Sequence, residues 1–342
     1  MSMSIREIKG EIEERYAKYT ARKFVILFAL IASLIALAIA VTPLGAASLS
    51  VGDVFHSLFY RGSSRADIII WQLRLPRIAM AIICGMGLAL SGAVVQGVLH
   101  NPLASPFTLG VSSAAFFGGM IGGAFGVGMG LNVGFAFFFG MLALFLIYGI
   151  SKRRGMTPET VILCGICLMY LFLALTSVAG MMGGAIGMSQ ILSGFLVSSS
   201  WDSVLTTFVF LIITFPLLMW CARDLNAMAL GDDTATSVGI NVKRTRMISM
   251  VLATLIVSSI VCFTGVIGFV CLISPFIARM VMGNDHRFIF PCSALIGALL
   301  LLGTDTLART AMQPIEIPVG MIMTIIGVPF ILYLAVKRSG YT

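Results

Sequence analysis

Residues 245–283 read TRMISMVLATLIVSSIVCFTGVIGFVCLISPFIARMVMG. As one α-helix this stretch, rising about 1.5 Å per residue, would be about 58 Å long, close to twice the hydrocarbon thickness of a bilayer. Two passes, 245–267 and a short 268–283 carrying Pro275 and Arg279, fit that thickness. The same ruler of about 20 apolar residues places eight more spans at 24–42, 78–97, 107–128, 131–150, 158–182, 203–222, 288–310 and 318–336, ten in all. The fold class expected is an all-α membrane protein.

Composition agrees. Of the 342 residues, 59% are apolar and only 11% are charged, and the mean hydropathy is +1.04. A soluble chain carries about 25% charged residues. The net charge of +8 does not signal nucleic-acid binding, because the basic residues gather in short segments beside apolar spans. Segments 1–23, 98–106, 151–157, 223–244, 284–287 and 337–342 hold 15 of the 22 lysines and arginines. The alternate segments hold four, Arg61, Arg65, Arg74 and Arg77, and the rest lie within spans. By the positive-inside rule both termini are cytoplasmic, as an even number of spans requires. Trp71 and Trp201 then fall in the outer aromatic belt.

The first span follows a charged segment, 1–23, with four glutamates, unlike the short basic region and 7–15-residue apolar core of a secretory signal. It reads as an uncleaved signal anchor, with 1–23 forming an amphipathic cytoplasmic helix, 24–338 the permease domain and 339–342 a cytoplasmic tail. Ten spans divide into two inverted sets of five, an arrangement in which the pathway lies between the halves. Ser105-Pro106-Phe107 and Ser274-Pro275-Phe276 echo each other across them.

Ionisable chemistry inside the spans is confined to Asp305, Arg309 and Arg279, with Glu159 and Arg246 at span ends. Ion-coupled carriers need intramembrane carboxylates or histidines as relays, which argues against a secondary transporter with inverted repeats. Phosphate-loop, G-x-S-x-G and H-E-x-x-H patterns are absent from the sequence. Catalytic and metal-binding residues are expected to be none, since His56, His100 and His286 fall outside the spans and the Cys164/Cys167 pair is embedded in an apolar helix. The chain reads as a conduit whose energy comes from elsewhere. Clustered glycines such as Gly85, Gly87, Gly92 and Gly97 suit close helix packing.

Ordered motifs then become recognisable: Arg74-Leu75-Pro76-Arg77, Ser91-Gly92-Ala93-Val94-Val95-Gln96-Gly97, Asn101-Pro102-Leu103-Ala104, Leu109-Gly110-Val111-Ser112, Leu225-Asn226-Ala227-Met228-Ala229-Leu230-Gly231, Gly265-Val266-Ile267-Gly268-Phe269, Asp285-His286-Arg287 and Glu316-Ile317-Pro318-Val319-Gly320. Over roughly residues 50–338 they resemble the ABC-importer permease family for iron-siderophore, haem and vitamin B12. The resemblance implies a type II importer fold with ten helices per subunit and a homodimer in the cytoplasmic (inner) membrane of a prokaryote. It further implies two cytoplasmic ATP-binding subunits, an extracytoplasmic substrate-binding protein, no cofactor on this chain, and ATP with Mg used by the partner ATPase.

The resemblance also assigns roles. Segment 223–244, with Leu225, Asn226, Ala227, Met228, Ala229, Leu230, Gly231, Asp232 and Asp233, is the expected ATPase-coupling element, Asp232 and Asp233 capping a short helix. Arg74, Arg77 and Arg309 are expected to dock the binding protein, their guanidinium forks suiting carboxylates. Asn101 and Leu103 correspond to the cytoplasmic gate. The family often carries a histidine where Phe276 stands, so no role for it transfers, and Arg279 is left to pair with a partner in a wet, protein-lined setting or to mark the inner interface. The expected cargo is a ferric siderophore, haem or cobalamin-type corrinoid, with a molybdate-type oxyanion as alternative. Met181, Met182, Gly183, Gly184 and Met188 suit a pathway lining, or ordinary helix packing.

Overall fold

The computed structural model of the chain describes residues 5–45, 64–126, 128–153, 158–183, 199–312 and 316–339, with Gly52, Val54, His56, Ser57, Tyr60 and Leu196. Arg61, Gly184, Met188 and the tail beyond Ser339 lie outside the described residues. The described residues form helices α1 (Ile5–Val41), α2 (Arg65–Leu99), α3 (Val111–Ala124), α4 (Met129–Arg153), α5 (Pro158–Gly183), α6 (Trp201–Met228), α7 (Asp232–Ser237), α8 (Val242–Thr264), α9 (Val270–Met282), α10 (His286–Thr310) and α11 (Val319–Ser339). Seven of them, α1, α2, α4, α5, α6, α8 and α10, are long and apolar enough to cross a membrane, and α3, α9 and α11 are shorter apolar helices. Together these are the ten apolar helices expected, with α7 as an eleventh, polar element.

The amphipathic N-terminal segment is not a separate helix, because it runs without a break into the first span as α1. Residues 245–283 do divide, but not at 267. The break spans 265–269, bracketed by Gly265 (φ 70°) and Phe269 (φ 65°), both left-handed. It leaves α9 only 13 residues long, about 20 Å by helical rise and too short to cross alone.

The corresponding place in the first half repeats this device. There α2 ends at His100 (φ 49°), just before Asn101-Pro102, and α3 is reached through Gly110 (φ 71°) with 14 helical residues. In each half, therefore, a long second helix stops at a left-handed residue and a short third helix starts after another. This is the backbone signature of the two five-helix halves. The Ser-Pro-Phe echo is not, since Ser105-Pro106-Phe107 precedes α3 whereas Ser274-Pro275-Phe276 lies within α9.

Helices α2, α8 and α10 form the centre, while the apolar window of α1 is almost wholly exposed and suited to lipid. The most extensive pairing joins α2 to α10. It is close because Gly85 and Gly297 face each other: a Cβ on either would fall on the other's carbonyl oxygen.

Candidate translocation and coupling sites

The sequence placed Arg74 and Arg77 at the mouth of the second span. In the structure α2 begins earlier, at Ser64, whose hydroxyl accepts from the Asp67 backbone amide while the Asp67 carboxylate accepts from that of Ser64. Both arginines consequently lie inside the helix. Residues Ile69–Arg74 are π-helical, with the Leu75 amide donating to the Ile70 carbonyl five residues back. The reason is Pro76, which has no N–H and crowds the carbonyl four residues before it, so the turn widens.

The wide turn feeds a buried ion network at the end of the bundle that holds Trp71 and Trp201, where the Trp201 indole donates to the Trp71 carbonyl at 2.8 Å. Arg74 donates to the carbonyls of Thr42 and Pro43, each at 2.9 Å. Arg77 grips Asp305 through Nε at 3.0 Å and Nη2 at 2.9 Å, and reaches Glu316 through Nη1 at 2.9 Å. Arg309, one helical turn after Asp305, pairs with it at 3.2 Å. Asp305 is fully buried, and all three arginines are less than a tenth exposed. The guanidinium groups of Arg74, Arg77 and Arg309, the residues expected to dock a binding protein, bind groups of this chain, and Glu316 in the same network is about a third exposed.

At the opposite end, the expected coupling residues separate into anchor and surface. Leu225 and Met228 are buried, and Asn226 turns toward α10. Its Nδ2 donates to Asp285 at 2.8 Å, and its Oδ1 accepts from the His286 amide at 2.8 Å and from the His286 ring Nδ1 at 2.7 Å. Asp285 also caps α10 and pairs with Arg287 at 2.7 Å. Burial would raise the Asp285 pKa, but hydrogen bonds from Arg287 and Asn226 hold it at about 2.

Ala229 to Asp233 are exposed, Leu230 to 75%. Here α7 stands between Gly231 (φ 113°) and Gly239 (φ 88°), backbone states that exact a cost from any side-chain-bearing residue. Asp232 and Asp233 are not its caps. Gly231 occupies the cap, and the aspartates sit in the first turn, where negative charge complements the helix dipole. Asp232 also ties α7 to α8 through Arg246 at 3.0 Å.

Beside this junction lies a cavity of about 420 Å³ lined by residues of α2, α9 and the turns around them, including Gln96, Asn101, Arg279 and His286. Asn101 folds its carbonyl onto the Leu103 amide at 2.9 Å, stiffening the turn, and Gln96 braces it by donating to the Pro102 carbonyl at 2.8 Å. Leu103 points outward and is exposed. Arg279, from α9, donates to Gln96, so it has a partner within the protein wall. His286 is not outside the spans as expected, being the buried first residue of α10. Sequence reasoning quoted Asn226 and His286 in separate motifs, but their 60-residue separation hid their contact.

A bundle of ten apolar helices in two matched halves, with a short polar helix projecting at one end and a cavity beside it, has the architecture of a membrane permease. The chain belongs to the FecCD transport family, which matches residues 25–337. It is 38% identical to an ABC transporter permease protein of Methanocaldococcus jannaschii, over 96% of this chain and 98% of that one. It is 34% identical to the iron(3+)-hydroxamate import system permease protein FhuB of Bacillus subtilis, over 97% and 88%. A solved metal-chelate type ABC transporter in an inward-facing conformation superposes with a TM-score of 0.79 at 31% identity, over 91% of this chain and 99% of that one.

Proposed function

We propose that this chain is the membrane-spanning permease subunit of a binding-protein-dependent ABC importer that carries a bulky metal chelate (ferric siderophore, haem or corrinoid) across the cytoplasmic membrane by alternating access. Two copies form the pathway, two ATPase subunits drive them from the cytoplasm, and an extracytoplasmic binding protein delivers the cargo. Both termini and α7 face the cytoplasm, in keeping with the 15-to-4 bias of basic residues. The chain itself makes and breaks no covalent bond.

One observation carries the reading: the turn before α7 and its first residues offer an exposed surface, Ala229 to Asp233, on a mount of buried Leu225 and Met228, and the mount is hydrogen-bonded through Asn226 to the first residue of α10. A push on α7 is thereby delivered to α10 and, through the cavity wall, to the turn at Asn101. Transport of a radiolabelled ferric siderophore into vesicles containing permease, ATPase and binding protein tests this. Uptake should require ATP, and Leu230→Glu should abolish ATPase association while leaving the permease dimer intact. Uptake that followed an ion gradient without the ATPase would refute the reading.

A further inference from the structure

Near its C-terminal end α2 carries a buried amide whose orientation is fixed from both sides. Gln96 stands four residues before the left-handed end of the helix at His100 (φ 49°) and is 2% exposed. A guanidinium can only donate hydrogen bonds, and a carbonyl can only accept them. Arg279 of α9 meets this side chain on one side and the Pro102 carbonyl on the other, so Oε1 must face Arg279 and Nε2 must face Pro102, at 2.8 Å. Reversing the amide would set donor against donor and acceptor against acceptor.

The groups so joined lie far apart in sequence. Pro102 belongs to the turn in which Asn101 Oδ1 accepts from the Leu103 amide at 2.9 Å and the Asn101 carbonyl accepts from the Ala104 amide at 3.2 Å. Arg279 stands near the end of α9, a helix of 13 residues set between two left-handed residues, Phe269 (φ 65°) and Gly283 (φ 76°). At its start α9 lies so close to α2 that a Cβ on Gly92 would fall on the Cys271 carbonyl oxygen. Cys271 and Arg279 are eight residues apart, about 12 Å of helical rise. Thus α9 is held to α2 by a tight backbone contact at one end and by the Gln96 side chain at the other. Just past that second end come Asp285 and His286, to which Asn226 is bonded.

We propose that Gln96 is a positioning residue for transport: it ties the turn of the expected gate residues, Asn101 and Leu103, to α9, so that displacement of the Arg279 end of α9 is passed to that turn through a single amide. The consequence for transport rests on the importer reading above, whereas the hold on the turn rests on the two hydrogen bonds alone. Because Oε1 and Nε2 make separate bonds, the tie can be cut at either end. Gln96→Glu keeps an acceptor for Arg279 but sets a carboxylate oxygen, with no hydrogen to give, against the Pro102 carbonyl. Arg279→Met spares the Pro102 bond and removes the bond to α9, while Arg279→Lys retains a donor.

Two measurements test this. In the full-length permease alone, in lipid nanodiscs, amide hydrogen exchange of residues 100–104 should quicken about tenfold in Gln96→Glu, with exchange of α9 and Tm unchanged. In vesicles holding permease, ATPase and binding protein, uptake of a radiolabelled ferric siderophore per ATP hydrolysed should fall roughly fivefold in Gln96→Glu and in Arg279→Met, through kcat rather than KM. Arg279→Lys should keep most of the coupling. A residue that only stabilised the fold would lower Tm, uptake and hydrolysis together. If Gln96→Glu does not fold, the two Arg279 variants carry the test. Unchanged exchange at 100–104 in folded Gln96→Glu, normal coupling in folded Arg279→Met, or equal uncoupling in both Arg279 variants would overturn the proposal. Absence of ATP-dependent uptake in the unaltered complex, with the turn still loosened by Gln96→Glu, would sink the importer reading and leave the hold of Gln96 on the turn standing.

Discussion

The two ends of this bundle are fastened by different chemistry. At the tryptophan-bearing end, Arg77 and Arg309 converge on one fully buried carboxylate, Asp305, and Arg74 is bound to backbone carbonyls of the segment after α1. At the α7 end, the tie between α6 and α10 centres on a half-buried amide, Asn226, beside the His286 imidazole and a cavity. Buried ions are costly to separate because each would be left in low dielectric without its counter-charge. Amide hydrogen bonds that can exchange for water contribute a net of only about 0.5–1.5 kcal/mol each. The first end is therefore costly to open, and the second less so.

Breaking that contrast at its strongest point should give the largest effect. Asp305→Ala strips Arg77 and Arg309 of a shared counter-charge and is expected to destabilise the protein by about 3–5 kcal/mol, read as a large fall in Tm in detergent; an unchanged Tm would mean that water already screens the cluster. Asn226→Ala should cost less, about 1–3 kcal/mol for the unsatisfied groups it leaves, yet harm coupling more: ATP hydrolysis in the assembled complex should continue while uptake falls. If both activities fell together, Asn226 would be a scaffold residue only.

Acid gives a milder probe of the same end. The folded-state pKa of Asp285 is below its ordinary value of 3.8, so its contribution is fully present above about pH 4 and fades as the pH falls toward 2. Thermal scans across that window should show the loss, and Asp285→Asn should flatten that part of the curve. Smallest of all should be Glu316→Gln, because this partner of Arg77 is about a third exposed. Pairs so placed contribute about 1 kcal/mol or less, and a Tm change as large as that of Asp305→Ala would show that Glu316 is as essential as the buried carboxylate.

Much of this architecture was legible in the chain. Ten apolar stretches, the projecting polar segment and the division of 245–283 follow from hydropathy and length, which act locally and need no partner. The motif Leu230-Gly231-Asp232 located α7 but misassigned its aspartates, because a capping role depends on which residue adopts the non-helical cap conformation, and Gly231 does so in preference. The surroundings of Arg74 and Arg77 were not legible in the chain: the π-turn before Pro76 and the earlier start of α2 place both side chains inside.

What the sequence by itself determined is the solvent: apolar runs of bilayer length, with charge confined to the ends, admit only a polytopic helical bundle, since backbone groups in lipid must be satisfied within each helix. What only the tertiary structure decided is pairing. Asp305 meets Arg77 across 228 residues and His286 meets Asn226 across 60. No local pattern encodes such contacts, because they exist only after Gly85 and Gly297 let α2 and α10 close upon each other and the left-handed breaks at His100 and Gly265 turn the chain back into the bundle.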